Sequence, residues 1–278
     1  MVVTKSSAFC LPGIFKCLEK IAGQHDWSGS SEQMAFLARY ESAFADLPDL
    51  EDHLETISSA DPDVLGSWFS QRGFTDLDIT LSPGCMGIGS FFNLHVEWRK
   101  TGIGVSIQLE ENFYHGVELS PQSAFMLDGH DFPLFQLETN QDWKVFLTES
   151  DQQYPSRDLP ARGNELLQKK RTALASTKLR FPMVELDIHV DIDFLTGMKA
   201  HSNTIVTAKK KTKLRLDEKG AKAQAAVFMP PLCGGPRIYC YTIIRPFFVI
   251  FWKEGLDFPP FIAHVTPKHW IEETDFSR

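Results

Sequence analysis

Val184-Glu185-Leu186-Asp187-Ile188-His189-Val190-Asp191-Ile192-Asp193-Phe194 alternates apolar and polar residues without a break. That period of two predicts a half-buried strand with one acidic face. A metal reading fails on spacing, because alternate side chains of one strand stand about 6.6–6.8 Å apart. An acidic row without partners repels itself, so the strand needs a basic neighbour. Lys209, Lys211, Lys213 and Arg215 alternate in the same way on the approach to Leu216. The connection between the two rows is short enough for antiparallel neighbours. We expect the strands to pair with both charged rows on one solvated face. Each opposite-charge pair contributes only about 0.2–1 kcal/mol, so the ladder sets register more than stability. Pro182 cannot donate to a ladder, which puts its strand at a sheet edge or marks a strand start.

Outward from this pair, the chain divides near residue 73 into a helical first part and a sheet-rich remainder, within one domain spanning 1–278. Ile14, Phe15, Leu18 and Ile21 have helical spacing, and Ser30 or Ser31 can cap a second helix running toward Leu47, with Pro48 as its stop. Asp61-Pro62 opens a short helix that Gly73 can close. Leu77, Ile79 and Leu81 then alternate. Ile88 to Trp98, Gly102 to Glu110, Trp143 to Thr148 and Phe247 to Trp252 are further strand candidates, with one helix at about Arg162 to Ala175. The fold class is α+β with a large, mainly antiparallel sheet. Residues 217–226 and the Gly/Pro-rich stretch after them carry no such period. Taken alone, 217–226 reads as a short surface helix ending before Pro230.

Hydrophobic residues make up 43% of 278, which supplies a sizeable core and excludes general disorder. A net charge of -8 argues against a nucleic-acid partner. The longest apolar run, Pro246 to Trp252, is far short of the roughly 20 residues a membrane helix needs. Five cysteines without a CxxC favour reduced thiols, and with no signal-type segment a cytoplasmic setting is expected. No G-x-S-x-G, P-loop, G-x-G-x-x-G or H-E-x-x-H occurs, and no catalytic residue, metal or cofactor is assigned. Asp128, His130 and Asp131 read as a turn between strands. His264 reads as a core histidine, and Cys233 as a loop thiol with no base beside it.

Asp217-Glu218-Lys219-Gly220 followed by Ala221-Lys222-Ala223-Gln224-Ala225-Ala226 resembles the hinge of a serpin reactive-centre loop. Ile244-Arg245-Pro246-Phe247-Phe248 and Phe261-Ile262-Ala263-His264-Val265 are similar to the two terminal strands of that family, and Trp98 stands in the place of a family tryptophan. The resemblance runs from about Asp61 to the C-terminus and is poor over the first sixty residues. It implies a monomeric inhibitor of a serine or cysteine protease. Such a loop is cleaved and then enters the main sheet as an extra strand. It also implies a strand matching Val184 to Phe194 at the edge of that sheet. The implied hinge residues are Glu218, Gly220, Ala221, Ala223, Ala225 and Ala226. The implied reactive bond lies at Gly234, Gly235 or Arg237, and Trp98, Pro246 and Phe247 are structural. Lys222, Gln224, Lys210 and Ser90 depart from the family pattern, and the connection from Phe194 to Thr207 is short. The competing class is a serpin-fold protein that binds a partner or traps nothing.

Overall fold

A computed structural model of the chain describes residues 5–22, 27–175, 177–221 and 239–273. It begins with β1 (Ser7–Cys10), α1 (Leu11–Ala22), β2 (Trp27–Ser28) and α2 (Ser31–Arg39). Ser30 starts α2 with a capping box: its Oγ accepts the Gln33 N–H at 3.3 Å, and Gln33 Oε1 accepts the Ser30 N–H at 2.7 Å. The helix ends at Arg39 instead of running to Leu47. Tyr40, fully buried, donates its hydroxyl to Arg157 O at 2.8 Å, so a tertiary anchor overrides the local period. Pro48 opens a 3-10 turn over Pro48–His53 rather than stopping a helix. Next come β3 (Leu54–Ser59) and α3 (Pro62–Gln71). Asp61 Oδ1 caps α3 by accepting the Asp63 N–H at 2.8 Å, and Gly73, at φ 83°, ends it in the left-handed region.

The alternation of Leu77, Ile79 and Leu81 survives as alternating burial, but no strand forms over residues 75–86. Among the described residues no strand pairs with this stretch, and its carboxylates Asp76 and Asp78 reach Lys211 and Lys209. The expected strand from Ile88 to Trp98 is two pieces, β4 (Gly87–Phe92) and β5 (Val96–Glu97). Five strands follow: β6 (Ile103–Leu109), β7 (Asn112–Leu119), β8 (Ser123–Leu127), β9 (Leu134–Glu138) and β10 (Trp143–Glu149). The helix expected from Arg162 is α4 (Leu159–Gln168), set earlier because Pro160 suits a first turn. Its expected last turn is instead β11 (Arg171–Ala173), drawn into pairing with β8. The remaining strands are β12 (Thr177–Pro182), β13 (Val184–Val190), β14 (Lys199–Ala200), β15 (Asn203–Thr204), β16 (Lys210–Leu216), β17 (Gly220–Ala221), β18 (Tyr239–Thr242), β19 (Phe247–Lys253) and β20 (Phe261–Val265). Pro182 closes β12 rather than starting a strand, and β12 lies inside a four-stranded sheet between β18 and β7.

The largest sheet has the order β1-β20-β19-β10-β9-β8-β11 and is antiparallel throughout. Both of its faces are covered, which explains the unbroken apolar run of β19. Phe247, Val249 and Phe251 enter one core with Trp98, Phe181 and Leu216. Phe248 and Ile250 enter the other with Phe15, Phe36 and Leu166 from the helices. β1, β2 and β3 place three strands in the part of the chain read as helical. The partner of β1 is some 250 residues away in β20, so no local pattern could announce it.

β13 and β16 pair antiparallel as the charge rows require, with Glu185 opposite Arg215, Asp187 opposite Lys213 and His189 opposite Lys211. Lys211 Nζ and Lys213 Nζ stand 2.9 and 3.1 Å from the Asp187 carboxylate. This ladder is a two-stranded unit of its own and not the edge of the largest sheet. It is also shorter than the alternation. Asp191 and Asp193 pass into a turn, where Asp191 Oδ1 accepts the Asp193 N–H at 3.0 Å.

Candidate functional site: the loop hinge and the gap beneath it

The chain leaves β16 at Asp217 and reverses within four residues. Asp217 is buried, and its Oδ1 accepts the N–H groups of Lys219 and Gly220 at 2.9 and 3.2 Å. Its own N–H donates to Gly220 O at 3.0 Å. An aspartate able to hold backbone donors two and three residues on is what such a turn needs. β17 then runs back beside β16 and pairs antiparallel with β5, Gly220 opposite Glu97 and Ala221 opposite Val96. The first loop residues therefore lie as the start of a strand between β5 and β16.

Trp98 fixes this turn from the side. Its N–H donates to Lys219 O at 3.0 Å and its indole Nε1 donates to Asp217 O at 2.9 Å. Gly102 N–H donates to Glu218 O at 2.7 Å. Only glycine fits at position 220: a Cβ there would stand 2.2 Å from Val96 O and 2.9 Å from Glu97 Cα. The return end is held as firmly. The buried carboxylate of Glu149 accepts the N–H groups of Ile244 and Arg245 at 2.8 and 3.0 Å and the Tyr241 hydroxyl. Burial and this carboxylate both push the Tyr241 phenol upward. Pro246 O accepts the Ser150 N–H at 2.8 Å, and Phe247 follows it fully buried at the head of β19.

Below β17 the strands separate. Among the described residues β4 pairs only with β3, and β16 only with β13 apart from the turn at Asp217. A cavity of about 540 Å3 opens between them, reaching down to α1. Three lysines of the basic row draw the segment after α3 toward its outer side. Lys213 Nζ donates to Gly73 O at 2.7 Å, Lys211 pairs with Asp76, and Lys209 Nζ donates to Asp78 O at 2.6 Å. The contact with Lys211 holds the Asp76 carboxyl below its usual range. On the inner side Lys210 Nζ donates to Cys10 O at 2.8 Å and sits 4.2 Å from the Phe9 ring centroid. Ser90 donates to Gly13 O.

Of the expected site residues, the structure brings Trp98, Glu218, Gly220 and Ala221 together at the hinge. Ala223, Ala225, Ala226, Gly234, Gly235, Arg237 and also Cys233 lie outside the described residues. Asp217, Asp76 and Glu149 were not singled out by the sequence. Asp217 carried a usable signal as a turn-forming residue ending the basic strand, whereas the partners of Asp76 and Glu149 are distant in the chain. Asp128 to Asp131 do form a turn, with Gly129 at φ 63° and His130 Nε2 2.9 Å from Thr148 Oγ1. Among the described residues no group of three or more His, Cys, Asp or Glu is placed to hold a metal ion, and no helix is long and apolar enough to cross a membrane.

No family model and no curated protein matches the sequence. Solved structures do. A serpin from the trematode Schistosoma haematobium superposes with a TM-score of 0.60 at 11% identity, over 94% of this chain and 93% of that one. The chain has the serpin fold. Human glycosylated kallistatin matches at 0.60 and 13% identity, over 94% of this chain and 91% of its own. Human thyroxine-binding globulin complexed with thyroxine matches at 0.59 and 12%, over 93% and 91%. Because these spans exceed nine tenths of the chain, the serpin-fold likeness includes most of the first sixty residues, where the sequence resemblance is poor. In this serpin fold β17 follows β16 across the Asp217 turn and pairs with β5.

Proposed function

We propose that this serpin-fold protein inhibits a serine or cysteine protease by strand insertion. The protease nucleophile attacks a carbonyl carbon within residues 222–238, an acyl bond to the protease forms, and the amine of the following residue leaves with a proton. The freed N-terminal part of the segment then extends β17 into the gap between β4 and β16 before water can cleave the acyl bond. The observation that carries this reading is the seated hinge. Gly220 and Ala221 pair with β5 directly after β16, and a cavity lies between β4 and β16, which supports reading this pair as the first two positions of the inserting strand. Gly234-Gly235 and Arg237 remain the candidate bonds. A covalent complex that survives denaturing electrophoresis is expected with a trypsin-like or elastase-like enzyme, alongside nicking between Pro230 and Arg237. Nicking without any such complex across a broad protease panel would refute inhibition.

Lys222 and Gln224 favour a second reading. Lys222 follows the pair directly and Gln224 comes two residues later, where insertion demands small side chains, and the fold also serves thyroxine-binding globulin, whose structure holds thyroxine. On this second reading the cleaved chain gains no stability. Melting curves of the cleaved and intact chains separate the two, since an inserted strand raises the melting temperature well above that of the intact chain.

A further inference from the structure

The cavity between β4 and β16 holds polar groups that the fold leaves unanswered. The inward row of β16 presents Lys210 and Thr212 to it. Thr212 is 5% exposed, and its Oγ1 has no hydrogen-bond partner among the described residues. A buried hydroxyl left unpaired costs on the order of 1–3 kcal/mol, so such a group calls for an explanation. Lys210 donates to a single carbonyl, and no carboxylate pairs with it among the described residues. The other lysines of the strand differ, since Lys209, Lys211 and Lys213 all reach aspartates. One side of the wall is apolar, with Ile14 and Leu18 from α1, Phe69 from α3, and Leu77, Phe91 and Ile205, while Ser90, Asn93, Thr207 and the charged rows of β13 and β16 line the remainder. A volume of about 540 Å3 lies within the range of small-molecule sites.

We infer that this cavity binds a slender amphipathic monocarboxylate of the fatty-acid class, its head group on Lys210 Nζ and Thr212 Oγ1 and its chain along the apolar wall. One ammonium that reaches no carboxylate among the described residues and one hydroxyl without a partner match one carboxylate. A dianion would need a second unpaired cation, and the cations at the mouth are already paired. An uncharged ligand would leave Lys210 as it is, with its pKa drawn down to about 8 by burial. The inference rests on the cavity of the intact chain and is independent of protease trapping. It has a regulatory consequence, because a ligand in this slot excludes the strand that insertion would place there.

The test is fluorescence titration of the full chain with cis-parinaric acid, followed by displacement. Saturable one-to-one binding is expected, reversed by dodecanoate but not by dodecanol. Lys210→Met should weaken binding at least tenfold and Thr212→Val several-fold, while Lys209→Met, at the mouth, leaves it unchanged. Absence of saturable binding, equal displacement by dodecanol, or wild-type affinity in Lys210→Met would each overturn the inference. Should the Lys210 variant not fold, the head-group comparison on the wild-type chain decides alone. Chain nicked between Pro230 and Arg237 separates the two proposals. If its own segment fills the slot, binding is lost on nicking. If trapping and insertion fail altogether, the intact chain still binds the probe.

Discussion

Replacing Gly220 by alanine tests the hinge directly. The added Cβ would meet Val96 O at 2.2 Å and Glu97 Cα at 2.9 Å, and both are backbone atoms that no side-chain rotation can move away. The strain is therefore relieved only if β17 leaves β5. Leaving breaks the two-residue pairing with β5, the Asp217–Gly220 turn bond of 3.0 Å and the 3.2 Å bond from Gly220 N–H to Asp217 Oδ1. Two to three net hydrogen bonds at about 1 kcal/mol each amount to about 2–3 kcal/mol. At roughly 2 °C per kcal/mol for a chain of this size, the melting temperature should fall by about 4–6 °C. Circular dichroism melts of Gly220→Ala measure this, and the rate of proteolytic nicking in residues 222–238 should rise in parallel. A melting temperature within 1 °C of wild type, with unchanged nicking, would show that Gly220 is not held against β5, and the seated-hinge reading would fail with it.

Three further outcomes follow from the charges. Burial draws Lys210 down to about pH 8, so the unfolded chain binds more protons than the folded one between about pH 8 and 10.5. Lys210→Met should then stabilise the protein at pH 7 by up to about 3 kcal/mol, an advantage that fades as pH rises to 10.5; a pH-independent difference in urea unfolding would contradict this. His264, fully buried with Nε2 3.2 Å from Ser150 O, is pulled down to about 4 by burial. The unfolded state takes up its proton first, so stability should fall by about 3 kcal/mol from pH 6.5 to 4, and His264→Leu should flatten that loss. In the ladder, Lys211→Glu and Asp187→Lys should each destabilise by about 1 kcal/mol or less. The double variant should recover part of this, Asp76 preventing full recovery, while strict additivity in the cycle would rule out coupling between the two residues.

The charge ladder was legible because both halves of its pattern are local: a period of two marks each strand, and opposite rows identify the partners. The same holds for the caps at Ser30 and Asp61 and for the apolar run of β19. Residues 75–86 show where local pattern stops. Leu77, Ile79 and Leu81 keep their alternating burial, yet backbone pairing needs a free neighbour, and β16 offers lysine side chains there instead. The hinge lies between these cases. Its small residues and its turn-forming Asp217 are written in the chain. That Gly220 abuts Val96 O, and that space for a strand continues below, depends on three segments meeting.

What the sequence determined by itself was the class of fold and the antiparallel pairing of the acidic row after Val184 with the basic row before Leu216, since each rests on side-chain period and charge within one stretch of chain; the hinge residues carry no such period and came from the resemblance. The tertiary structure decided where that ladder stands, apart from the seven-stranded sheet that buries both faces of β19. It also decided that β4 and β16 stay unpaired around a cavity with Lys210 and Thr212 on its wall. Such contacts depend on the distance between segments tens to hundreds of residues apart, which periodicity does not encode.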